Sequence, residues 1–194
     1  MVEMLGVLAI IWVLSVGGIA GYSKAMMKYK INKFSVAMNE LLNTAIQYKG
    51  QLYSSRNAMD DQGAQYFSNI LDKMNALPEG IRYKNDIYLE DMFGNQIWVF
   101  AYPNQAIAYH GVGYTLSWNG STSLSNEICH QLIKIVKENS SQIWYTLTNS
   151  SKHYGDVACS ENAQCLRDLT ISEIEGTCHS CRVGNECRFY IFLS

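Results

Sequence analysis

Apolar and polar positions divide this chain into two unlike parts. Residues 4–23 form a run of twenty without a charged side chain, bounded by Glu3 and Lys24. At the helical rise of about 1.5 Å per residue, that run spans about 30 Å, the thickness of a bilayer core. The pattern then changes, but the helix signal continues. Residues 24–49 contain neither Pro nor Gly. Met27, Ile31, Phe34, Met38, Leu41, Ala45, Tyr48 and Leu52 recur at steps of three and four, with Lys28, Asn32, Asn39, Asn43, Gln47 and Lys49 opposite. This is one stripe of an amphipathic helix. Both parts fuse into a single predicted helix over residues 1–53, about 80 Å long at the standard rise. Gly17, Gly18 and Gly21 mark its weak place, because each Gly disfavours a helix interior by about 1 kcal/mol relative to Ala.

The remaining chain, 54–194, reads as an α+β head. A short helical pattern covers Ala64, Tyr66, Phe67, Ile70, Leu71 and Met74, and Pro78 and Gly80 stop it. β-branched and aromatic runs at 86–89, 96–101, 106–109 and 114–118 predict strands. Residues 125–137 predict a helix capped by Ser125 or Asn126, with Ile128, Leu132, Ile135 and Val136 as its buried stripe. A last strand is expected at 188–193. The expected architecture is a long helix, apolar in 1–24 and amphipathic in 25–53, packed on an antiparallel sheet in the head.

Composition narrows the function. The chain is 48% hydrophobic and only 16% charged, too apolar for disorder. A net charge of −2 offers no basic field, so no specific nucleic-acid partner is expected. The Gly-rich phosphate loop, the Gly-x-Ser-x-Gly elbow and the His-Glu-x-x-His motif are missing. His110, His130, His153 and His179 are scattered and read as surface or loop residues. Asp60-Asp61 and Glu90-Asp91 read as solvated pairs, with too few oxygens for a calcium site. The sequons at Asn119, Asn139 and Asn149 read as chance. Neither an enzyme nor a cofactor or metal is expected.

All six cysteines follow residue 128. A zinc ribbon needs two Cys-x-x-Cys pairs, and only Cys178 and Cys181 have that spacing. No strand-to-helix setting supports a redox motif. Disulfides are the expectation for Cys129, Cys159, Cys165, Cys178, Cys181 and Cys187, which places the head outside the cytosol. Lys24, Lys28, Lys30 and Lys33 argue the reverse by the positive-inside tendency; the cysteines outweigh them.

The apolar N-terminus admits three readings. A secretory signal needs a basic region before the apolar run, and Glu3 stands there instead. A plain membrane anchor fits the length but leaves a carboxylate at the start of the span, where burial is costly. The third is a helix that first sits in a membrane and then packs against copies of itself.

Residues 1–22, with one acid ahead of the uncharged run and an amphipathic helix after it, resemble the mature N-terminus of a type IV pilin. The family glutamate stands fifth from the mature N-terminus, whereas Glu3 stands third, and Trp12 occupies a place where the family usually carries a small residue. Pro78, Phe93-Gly94, Cys129 in Ile-Cys-His-Gln-Leu-Ile, and the terminal Cys-Arg-Phe-Tyr-Ile-Phe-Leu resemble the order of the type IVb branch. The resemblance implies a disulfide-bonded pilin fold and a structural role. It makes Glu3 the partner of a neighbouring subunit's N-terminal amine, on Met1. Leu5, Val7, Leu8, Ile10, Ile11, Trp12, Val13, Leu14 and Val16 would form the filament core, with Gly17, Gly18 and Gly21 giving the helix flexibility. It ties Cys129 to Cys178 or Cys181. Cys159 and Cys165 would close a local loop, and Cys187 would take the remaining partner. The implied partners are copies of the chain, the inner membrane before assembly, a prepilin peptidase and the pilus assembly machinery. The implied location is an extracellular pilus. A minor pilin, a type II secretion pseudopilin and a membrane-tethered binding module that never polymerises are the rival expectations.

Overall fold

The computed structural model describes residues 2–54, 63–102, 109–116, 122–148, 151–180 and 187–194, with side chains in all but 2–17, 51–54 and a few flanking positions. Its first element, α1 (Val2–Ser54), is one unbroken helix of 53 residues, as the stripe predicts. Ile31, Phe34, Met38, Leu41 and Ala45 are buried. Tyr48 is half-buried, Met27 is 44% exposed, and Leu52 lies outside the described side chains. Ala37 and Leu42 widen the stripe. Burying its large apolar members contributes on the order of 10 kcal/mol, at about 2 kcal/mol each.

The head follows as β1 (Gln65–Tyr66), α2 (Ser68–Lys73), β2 (Arg82–Tyr83), β3 (Leu89–Glu90), β4 (Gln96–Tyr102), β5 (Tyr109–Leu116), α3 (Thr122–Glu138), β6 (Ile143–Thr148), β7 (Lys152–Tyr154), α4 (Ile171–Ser180) and β8 (Cys187–Leu193). The described strands form one sheet in the order β2-β3-β4-β5-β8-β6-β7, with β1 also pairing on β4. Every ladder is antiparallel. The strand latest in sequence, β8, therefore lies in the middle.

The two faces of the sheet differ. The inner face carries Ile97, Val99, Val112, Leu116, Phe189, Ile191 and Leu193, which share one core with α1 and α3. The alternate residues place an aromatic layer on the other face, as the period of two requires. Trp98 and Phe100 of β4 reach across β5 to Tyr190 and Phe192 of β8, with edge-on ring centroids 5.6 and 5.7 Å apart. They can cross because β5 carries Gly111 and Gly113 there. A Cβ on Gly113 would stand 2.0 Å from the Trp98 ring, and one on Gly111 would stand 2.0 Å from the Ile191 carbonyl oxygen.

Several expectations change. The glycines that separate the predicted strands 106–109 and 114–118 lie inside one strand, β5, because the neighbouring rings fill their space. The short helix expected from Ala64 shrinks to α2, since 65–66 pair with β4. Of 86–89 only Leu89 is strand; the Asn85 side chain accepts from the backbone N–H groups of Ile87 and Tyr88 and holds a bend. Helix α3 begins at Thr122, so Ser125 and Asn126 are interior residues rather than caps. Between Lys137 and Arg188, where nothing is predicted, lie β6, β7 and α4.

Candidate assembly surface

Helix α1 leaves the head at Ile31. Residues 18–30 have exposed side chains throughout, except for half-buried Met26. Ile19 is 70%, Tyr22 67% and Tyr29 61% exposed. Lys24, Lys28 and Lys30 project from the same stretch, and no carboxylate of the described residues pairs with them. Lys33, one turn higher, pairs with Glu79. The hydrogen bond that Lys33 donates to Glu79 holds its ammonium above the ordinary lysine value against a smaller burial effect, and the Glu79 charge adds to it. A Cβ on Gly18 or Gly21 would meet nothing within 4 Å, so neither glycine serves packing among the described residues.

Glu3, Leu5, Val7, Leu8, Ile10, Ile11, Trp12, Val13, Leu14, Val16 and Gly17 lie on the α1 backbone, outside the described side chains, and Met1 lies outside the described residues. No helix among the described residues is long and apolar enough to cross a membrane.

Where α1 emerges it forms a notch with α3 of about 340 Å³, lined by Lys24, Met27, Lys28, Ile31, Asn32, Glu127 and Gln131. Glu127 and Gln131 carry no sequence motif, and only the α1–α3 contact reveals them. Opposite charge gathers elsewhere. Residues 156–175 hold five carboxylates (Asp156, Glu161, Asp168, Glu173 and Glu175) against the single cation Arg167. This segregation is visible in the sequence, although no motif announces it.

Disulfides shape the acidic segment. Cys129 bonds Cys178, joining α3 to α4 with Cα atoms 5.7 Å apart. Cys159 bonds Cys165 and closes a local loop. Cys187 is also disulfide-bonded; the one cysteine left over, Cys181, lies outside the described residues. Among the described residues the one cluster of potential metal ligands is Cys159, Cys165 and Asp168, and its sulfurs are spent in a disulfide. Helix α4 starts on a capping box: the Thr170 backbone N–H donates to the Glu173 carboxylate at 2.8 Å, and the Glu173 N–H donates back to the Thr170 hydroxyl at 3.3 Å. The Thr170 hydroxyl, then its backbone N–H, hold the Glu173 carboxyl below the ordinary value.

Two expectations about charged groups are overturned. Asp91 is not solvated; it is 1% exposed. Its Oδ1 accepts from the Phe93 and Asn95 backbone N–H groups at 2.8 Å each. Its Oδ2 accepts from the Asn95 amide at 3.0 Å and the Tyr114 hydroxyl at 2.5 Å. Gly94, at φ +84°, completes that turn in the left-handed region. Burial first, then the Asp91 charge, push the Tyr114 phenol well above its ordinary value, so it stays a donor. Glu90 pairs instead with Lys84 and Arg82, and hydrogen bonds from both, Lys84 foremost, lower its pKa. These carboxylates are held by local backbone and side-chain partners. The histidines are not all superficial either. His153 is 3% exposed, and both ring nitrogens of His110 are buried without a partner among the described residues. Burial lowers both pKa values, with a contribution from the Lys49 charge at His110 and opposition from Glu173 at His153. His130 Nε2 lies 2.9 Å from a Glu175 oxygen, and His179 is exposed.

Neither a family model, nor a curated protein, nor a solved structure matches this chain.

Proposed function

We propose that this chain is the structural subunit of a type IV pilus-like filament, polymerising through its N-terminal helix. One observation carries the reading: a single helix of 53 residues has one half built into the head and continues through residues 18–30, which the described residues leave exposed apart from half-buried Met26. A helix bearing Ile19, Tyr22 and Tyr29 in the open lowers its free energy when other helices cover it, because apolar surface leaves water. In this reading the apolar N-terminus sits in the inner membrane before assembly. A prepilin peptidase and the assembly machinery then deliver it into a helical bundle. Glu3, too costly to bury alone in hydrocarbon, neutralises a neighbour's N-terminal amine and sets the axial register. The heads form the extracellular surface, and their disulfides suit an oxidising compartment.

The test is electron microscopy of the fraction sheared from the source cells, with mass spectrometry of its contents, on wild type and Glu3→Ala. Thin filaments composed mainly of this chain, lost in the variant, are expected. A chain confined to the membrane fraction overturns the filament reading in favour of a tethered module. Undiminished filaments in Glu3→Ala overturn the charge pairing.

A further inference from the structure

The geometry points to a specific contact between copies: the notch under α3 receives the acidic, disulfide-closed loop of a second copy. This rests on the filament reading and names the surfaces that would meet in it. The notch is lined by two apolar side chains, Met27 and Ile31, and two basic ones, Lys24 and Lys28. One carboxylate, Glu127 of α3, also lines it. Neither lysine has an ion-pair partner among the described residues.

The loop has the complementary layout. The Cys159–Cys165 disulfide closes a turn with a sequence separation of 6, and its tip, Ser160, Glu161 and Asn162, is exposed. Asp168 adds a second carboxylate whose ligand atom lies within 4.8 Å of both sulfurs, although Arg167 shares its charge at 3.5 Å. Beside the loop stands Val157, an apolar side chain left 68% exposed. The segment thus offers an exposed apolar side chain and carboxylates, and the notch offers apolar side chains and ammonium groups, so the two are complementary in kind. The disulfide fixes the loop beforehand, so little chain entropy is lost on docking. Loop and notch are different surfaces, and such a head-to-tail contact propagates into a ring or a helical polymer instead of stopping at a dimer. The lysines then carry a function within the polymer that their place after an apolar run does not suggest.

The experiment measures self-association of the full chain in detergent, by analytical ultracentrifugation, for wild type, for Lys24→Glu with Lys28→Glu, for Glu161→Lys with Asp168→Lys, and for an equimolar mixture of the two double variants. Each double variant alone sets like charges against each other and is expected to associate about tenfold more weakly or worse. In the mixture the acidic stem of one variant faces the basic loop of the other, and association is expected to return. Misfolding cannot produce that return. Double variants that associate like wild type, or a mixture no stronger than its components, overturn the contact. Weakening confined to the lysine variant also overturns it and turns attention to anionic lipid headgroups. Restored association without filaments on cells removes the pilus reading and leaves the contact; filaments without restoration do the converse.

Discussion

The two described parts of α1 share one backbone and face opposite conditions. From Ile31 to Ala45 the helix gives its stripe to the head: Phe34 meets Tyr114 edge-on with ring centroids 5.6 Å apart, and the Asn139 amide donates to Asn39 Oδ1 at 2.9 Å. From 18 to 30 it has no such contact and carries two glycines. Short isolated helices are marginal in water, so the bare part is helical because the anchored part has already paid the nucleation cost. Stability and reach are thereby separated. The head sets whether the chain folds, and the bare stretch adds little to that stability.

The strongest perturbation of this contrast is removal of the Cys129–Cys178 bridge, which ties α4 to α3, the helix that packs on the anchored part. In the chain-entropy model a closed loop of about fifty residues is worth about 4 kcal/mol. Cys129→Ser with Cys178→Ser should lower unfolding stability by that order and speed amide exchange at 31–48. Exchange at 18–30 should not change, because that stretch lies outside the head that the bridge braces. Equal acceleration in both parts would show that they form one cooperative unit.

Next in size is a pair of truncations. Leu41 is 0% exposed, and Leu41→Ala should cost about 3 kcal/mol through lost burial and the cavity left behind. Ile19→Ala, in the bare part, should change chain stability by less than about 0.5 kcal/mol. Denaturant unfolding of the full chain in detergent measures both, and a cost at Ile19 approaching that at Leu41 would show that the bare part is covered within the single chain.

The smallest effect concerns pH. Burial holds the folded-state pKa of His110 and His153 below the ordinary imidazole value of about 6.5, so the unfolded chain takes up protons first as pH falls. Their contribution is complete above about 6.5 and is lost as pH drops toward the lowered folded values. His153→Gln should flatten the stability profile in that window, while the helicity of 18–30 follows the same course with or without the imidazole. An unaltered profile would remove His153 from the account.

The helix was the most legible part of the sequence, because Ile31, Phe34, Met38 and Leu41 report a helical period directly. The cysteines disclosed the kind of bond, but the choice between Cys178 and Cys181 for Cys129 needed three dimensions. Strand β5 was obscured because Gly111 and Gly113 read as turn residues until the rings of Trp98 and Phe100 are seen above them. Helix α4 has only Ile171 and Ile174 as aliphatic residues before Gly176, so its periodicity is weak; a capping box and a disulfide define it. Asp91 looked solvated because its partner Tyr114 is 23 residues away. The notch between α1 and α3 was invisible for the same reason: its walls are distant in sequence.

The central place of β8 has a bearing on timing. Strands β5 and β6 have no ladder with each other and are joined only through Cys187–Leu193. A chain stalled, clipped or still in transit before that segment would hold two half-sheets with raw edges. The sheet cannot close until that segment arrives, so completion of the fold waits on the residues made last of those described.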